Sequence, residues 1–235
     1  SRWEIDLVVN KQESARSLAL SVLEQVFDQG AYSNIALNKA LESSRLSAQD
    51  KGLVTELVYG TVSRKITLEW YLARFIEDRE KLDTWVYYLL MLSLYQLLYL
   101  DKLPIHAVVN EAVQIAKRGR GTDKFVNAVL RKISQTSLPS PSDIKRKNKR
   151  VSIQYSVPVW LVQTLITEYG EDRAEKILQS LHTRNKASVR VTDSKQVNRL
   201  ARELGADVSK LSPFGLVKSH GHFAGTDYFK DGLLT

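Results

Sequence analysis

Apolar residues recur at three- and four-residue steps along most of the first half of this chain, and strand-like alternation hardly appears there, so the pattern predicts a succession of helices. The first carries Ala15, Leu18, Ala19, Val22, Leu23, Val26 and Phe27 on one broad face and stops at Gly30. A short helix follows Asn34. Ser47 reads as an N-cap, with Asp50 in the first turn, for a third helix through Leu53, Val54, Leu57 and Val58 that Gly60 ends or bends. Further helices are expected over Ile66 to Ile76 and Thr84 to Leu100. After Pro104 the positions Val108, Ala112 and Ile115, flanked by Val109, Val113 and Ala116, mark another. One more starts near Thr122 or Asp123, with Phe125, Val126, Val129, Leu130 and Ile133 as its apolar stripe and Lys124, Asn127 and Arg131 together on another face. Seven helices around one apolar centre make a sufficient core, and residues 13–135 are read as one helical domain.

The pattern then breaks. Ser134 to Ser142 is polar with Pro139 and Pro141, and the run DIKRKNKR that follows is strongly basic, so residues 136–152 are read as a basic Pro/Ser linker. From residue 153 the expectation is a small α/β unit: helices over WLVQTLITEYG and EDRAEKILQSL, a strand over Ala187 to Val191, a helix over Lys195 to Leu204 and a strand over Phe214 to Lys218. Residues 1–12 are read as an added or processed extension. The strand-like DGLLT at the end suggests a natural protein that continues past Thr235.

Composition narrows the chemistry. At 235 residues and 43% hydrophobic content the chain can bury a sizeable core, and a net charge of +8 favours a polyanionic partner. No cysteine is present, which removes disulfides, thiolate metal sites and a thiolate nucleophile together. The segment from Trp85 to Leu100 is almost wholly apolar but falls short of the ~20 residues that cross a bilayer, so it is read as the central core helix and no membrane is expected. With no leader-like N-terminus the expected compartment is the cytoplasm. His220 and His222 lack a carboxylate or thiolate partner, leaving an incomplete metal site, and no metal is expected. His106 opens a helix, where a capping or packing role suits it. Glu111, inside an apolar segment, is read as a packing carboxylate. No spacing singles out a nucleophile or a phosphate-cradling loop.

The charge has a focus. From Lys117 to Lys132 there are six basic residues and one acid, and KRGRGTD joins two amphipathic helices through a turn that Gly119 and Gly121 permit. A solvated helix face usually mixes both signs. This stretch therefore reads as an anion platform, with RNA as the anion.

Taken together, ESARSLALSVL from Glu13, ELVYGTVSR from Glu56, LPIHAVVNEAVQIA from Leu103 and KFVNAVLR from Lys124 resemble the NusB-like helical RNA-binding domain. That domain serves both the transcription antitermination factors and the ribosomal RNA small-subunit cytosine-5 methyltransferases of the Sun, or RsmB, type. YSVPVWLVQTLITEYG from Tyr155 and the later VRVT are similar to the second region of the methyltransferases, and favour them over a non-enzymatic antitermination or ribosome-associated adaptor. Ala128 departs from the family pattern, where glycine is common. The resemblance implies a parent with a Rossmann-like domain that binds S-adenosyl-L-methionine and supplies two catalytic cysteines. Without a cysteine, the expected role of this chain is to hold ribosomal RNA as a monomer, binding no cofactor itself. The residues expected at the RNA are Arg16, Lys117, Arg118, Arg120, Lys124, Asn127 and Arg131, with Lys145, Arg146, Lys147, Lys149 and Arg150 as a second tier.

Overall fold

A computed structural model describes residues 13–187, with side chains as far as Leu181. Seven helices occupy the first domain: α1 (Ala15–Gln29), α2 (Ser33–Ser43), α3 (Ala48–Ser63), α4 (Lys65–Leu72), α5 (Thr84–Tyr99), α6 (Ile105–Ala116) and α7 (Thr122–Gln135). Local side chains cap the starts of two of them, Ser47 as expected and Ser14 in addition. Ser14 accepts from the Ser17 amide while the Ser17 hydroxyl accepts from the Ser14 amide, a capping box closed by serine at its far position. Ser47 caps α3 by accepting from the Asp50 amide at 3.1 Å.

The centre of the bundle is α5, buried continuously from Val86 to Gln96 and packed on α1, α3, α4, α6 and α7. A helix apolar all round has almost no solvent face, so its few polar groups must find partners inside the protein. Ser93 donates to the Leu89 carbonyl at 2.8 Å and Gln96 to the Leu92 carbonyl at 3.0 Å. Gly60 neither ends nor breaks α3, which runs on to Ser63. Its missing side chain serves packing: a methyl group there would land on the phenol ring of Tyr95, which is itself buried.

Beyond the first domain the structure corrects the sequence reading. After a further helix, α8 (Lys147–Tyr155), the two helices of the α/β unit expected from residue 153 are present as α9 (Val159–Tyr169) and α10 (Glu171–Ala187), and the described residues contain no strand. Ala187, expected to open a strand, is the last residue of α10. The rest of that strand, the helix expected over 195–204, the strand expected over 214–218 and the strand-like end of the chain lie outside the described residues. The basic run is only partly a linker, because a 3₁₀ turn at Pro141–Asp143 leads directly into α8, whose first turn holds Lys147, Lys149 and Arg150. The second half of that helix is buried at Val151, Ser152 and Ile153, and Val151, Val157, Leu161, Leu165, Ile177 and Leu181 join the same apolar cluster as the bundle. Charge density at one end of α8 hid a short helix whose apolar anchors sit at its other end.

The junction is fastened by Ser156, the only non-glycine residue with positive φ among the described residues (φ 55°). Helix α4 has Arg64 at its N-cap and no cap from its own side chains. The Ser156 hydroxyl supplies one from a distant part of the chain, accepting from the Ile66 amide at 3.0 Å and the Thr67 amide at 3.4 Å. Thr67 in turn donates its hydroxyl to the Ile153 carbonyl. Ser156→Ala removes the cap and keeps the left-handed backbone, so it is expected to cost about 1–2 kcal/mol in chemical denaturation. Ser156→Gly also loses the cap but relieves the backbone, and should cost less than the alanine. An alanine variant as stable as the wild type would contradict the cross-chain cap.

Tyrosines line the interior of this bundle, and their hydroxyls set its response to alkali. Burial, helped by the nearby Glu56 charge, pushes the Tyr95 hydroxyl up to about 12. Burial raises Tyr87 and Tyr88 too, the first assisted by the charge of Glu69 and the second by its hydrogen bond to Asp28. A raised value in the folded state means the unfolded chain loses these protons more readily. The stability they contribute is fully present below pH 10 and disappears as pH climbs through the folded values. Tyrosinate absorbance near 295 nm and loss of helical circular dichroism are expected to rise together above about pH 11. Full tyrosinate formation near pH 10 with the helices intact would contradict this.

Candidate nucleic-acid interface

Helix α6 unwinds through tighter bonds, from the Arg118 amide to the Ile115 carbonyl at 3.1 Å and from the Gly119 amide to the Ala116 carbonyl at 3.2 Å. Gly121 then takes the left-handed conformation (φ 72°) that lets α7 leave the turn, and no side chain caps the amino end of α7. The buried residues of α7 are Val126, Val129, Leu130 and Ile133, packed on α6 and α5. Phe125, counted in the apolar stripe by sequence, lies at the edge of that stripe and is 36% exposed.

On the outer side, Lys117, Arg120 and Lys124 are exposed and make no hydrogen bond or ion pair among the described residues. Asn127 and Arg131 lie on the Lys124 face, where the Arg131 Nε donates to Asn127 Oδ1 at 2.9 Å. The amino end of α7 adds the positive end of its dipole to these cations, partly offset by Asp123 in the first turn.

The other two expected arginines are already engaged. Arg16 is 9% exposed; its Nε donates to the Gln96 side chain and its Nη1 pairs with Glu111 at 2.8 Å. Glu111 is thus the packing carboxylate that its position suggests. Arg118 lays both Nη atoms on Glu24, at 3.1 and 3.2 Å, and stacks over the Trp85 ring with 4.7 Å from its Cζ to the ring centre. Glu24 and Trp85 carried no signal of their own in the sequence. A signal does exist once α1 and α6 are placed side by side in parallel: Arg16 and Glu24 on one match Glu111 and Arg118 on the other, about two turns apart in both, with the charges exchanged.

The second tier sits elsewhere on the fold. Lys145 and Arg146 precede α8, which packs on α4, α9 and α10, while α7 packs on α5 and α6. Lys147 pairs with Glu171, and Arg150 donates to the Ile144 carbonyl at 3.3 Å. Lys145, Arg146 and Lys149 are exposed with no partner among the described residues. No group of three metal-ligating side chains occurs among the described residues, and none of their helices is long and apolar enough to cross a membrane. His106 is exposed at the start of α6.

A sequence model of the NusB family matches residues 13–135, the span of α1 to α7. The chain belongs to the NusB family. Similarity to curated relatives runs past this NusB segment. The chain is 40% identical, over 96% of its length, to a protein of Bacillus subtilis named "Probable ribosomal RNA small subunit methyltransferase B", of which the match covers 52%. A Synechocystis protein of the same name is 33% identical over 70% of the chain and 37% of its own length. An Escherichia coli "Ribosomal RNA small subunit methyltransferase B" is 32% identical over 69% of the chain, again 37% of its own length. The chain therefore spans about half the length of the Bacillus relative and less of the others.

Proposed function

We propose that this chain binds small-subunit ribosomal RNA and holds it for an S-adenosyl-L-methionine-dependent cytosine-5 methyltransferase of which it is the NusB-containing part. The observation that carries this reading is the group of Lys117, Arg120 and Lys124, exposed and unpaired around the uncapped amino end of α7. Cations left without carboxylate partners keep their full attraction for phosphate, and one acid in the whole stretch does little to cancel it. Asn127 and Arg131 can add hydrogen bonds to a sugar or base, since the amide offers both a donor and an acceptor. Lys145, Arg146 and Lys149 offer a second, separate set of exposed cations beyond the linker, with Lys147 and Arg150 in partly satisfied positions. Arg16 belongs to the interior of the bundle in this reading.

Methyl transfer itself has no residues here. The chain holds no cysteine for the covalent step and no glycine-rich cofactor loop, and the cofactor is assigned to the remainder of the parent protein. Support for the methyltransferase over a free-standing antitermination adaptor comes from the Bacillus similarity, which extends over nearly the whole chain and not over residues 13–135 alone. Ultraviolet crosslinking of the chain to a small-subunit ribosomal RNA transcript, followed by mass spectrometry of the linked peptides, tests the assignment. Crosslinks are expected within residues 117–131; a map confined to other surfaces would overturn it.

A further inference from the structure

Resting on the RNA-binding reading above, we infer that Arg118 is a positioning residue: it clamps the turn that presents Lys117 and Arg120, and its own charge is spent on Glu24.

Three features of the turn lead there. The Arg118 guanidinium meets both carboxylate oxygens of Glu24, at 3.1 and 3.2 Å, in the fork geometry that fixes orientation as well as distance. Its flat face lies over Trp85, a half-buried ring packed against the apolar core. The third feature is steric. A side chain at Gly119 would meet the Thr122 hydroxyl and come within 2.9 Å of Trp85 Cζ2, so the backbone of the turn lies flush against that same ring. Arg118 is thus held from α1 by charge and from α5 by stacking, and its neighbour Gly119 is seated on the same tryptophan.

A residue in this position differs from its neighbours in sequence. Lys117 and Arg120 flank it with no partner, and Arg118 alone of the three is neutralised at hydrogen-bond distance. Moving it to a phosphate would leave Glu24 without its cation, strip Trp85 of its cover and release the turn that orders the other two cations. Keeping it in place avoids all three costs and lets Lys117, Arg120 and Lys124 meet an anion already arranged, which reduces the ordering entropy paid on binding. The clamp requires a planar fork, so lysine cannot substitute even though it keeps the charge.

The test joins two measurements on the intact chain. Hydrogen exchange in the absence of RNA is expected to accelerate at least tenfold at the amides of residues 117–122 in Glu24→Ala and Arg118→Lys, with exchange in the α5 core unchanged. Affinity for a fluorescein-labelled small-subunit ribosomal RNA transcript is then followed against salt. Arg118→Lys and Arg118→Ala should both weaken binding about threefold or more while leaving the slope of log affinity against log salt as in the wild type. Lys124→Ala should flatten that slope by ~0.7. If Arg118→Lys binds like the wild type and Arg118→Ala flattens the slope as Lys124→Ala does, Arg118 is a phosphate ligand and the inference is overturned. Unchanged exchange in both turn variants overturns the clamp whatever the RNA result. A wild type without salt-dependent RNA affinity removes the RNA-binding reading, and this inference with it, before any variant is compared.

Discussion

Reversing the charge of Lys117, Arg120 and Lys124 together is expected to weaken binding to small-subunit ribosomal RNA by about a hundredfold at 0.1 M salt. The size follows from counterion release: each phosphate contact on a single strand contributes ~0.7 to the slope of log affinity against log salt, so three contacts give roughly two log units one decade below 1 M. Repulsion from the introduced carboxylates pushes the loss further. All three side chains are exposed and unpaired, so stability should stay within about 0.5 kcal/mol of the wild type. That separation of effects matters, since a triple variant that unfolded would also lose RNA. Equal affinity in the folded triple variant would move the interface away from the α6–α7 turn.

Arg16→Ala is expected to do the opposite, costing stability by about 3 kcal/mol and leaving the salt slope of RNA binding unchanged. Its guanidinium reaches Gln96, which is 2% exposed and has its amide nitrogen committed to the Leu92 carbonyl. With Arg16 gone, the Gln96 oxygen is a buried acceptor with nothing to accept from, and Glu111 faces the gap as an unpaired carboxylate. Glu111 is partly exposed, which moderates its share of the cost. Arg16→Met should recover the packing of the aliphatic stem and lose less. Urea denaturation reads the stability, and RNA titration below the unfolding transition reads the slope. A stable Arg16→Ala protein with a slope flattened by ~0.7 would place Arg16 at a phosphate after all.

Much of the first domain was legible because its signals are local. Ser47 caps its helix through a bond three residues away, and the buried stripe of α7 from Val126 to Ile133 repeats at the helical period. Phe125 fits that same period yet stands exposed at the edge of the stripe, because periodicity gives the face of a helix and not how widely that face is covered. Gly60 looked like a helix end; its reason is Tyr95, on another helix. The same limit governs the site. Lys124, Asn127 and Arg131 share a face by spacing alone, but spacing cannot show that Arg16 and Arg118 are occupied, since their carboxylates lie 95 and 94 residues away. The segment from Lys147 to Tyr155 illustrates a different failure. Its four leading residues are polar or charged and its apolar anchors few, so composition read it as linker up to residue 152, although tertiary packing makes it a helix and the Ser156 cap on α4 ties it to the bundle.

The salt dependence of RNA affinity, measured in parallel for the wild-type chain and the Lys117, Arg120 and Lys124 charge-reversal variant, bears most directly on the central claim. Log affinity of the wild type should fall linearly with log salt, and the slope of the variant should be shallower by about two. A flat wild-type line, or two parallel lines of equal steepness, would contradict an RNA interface built on these cations.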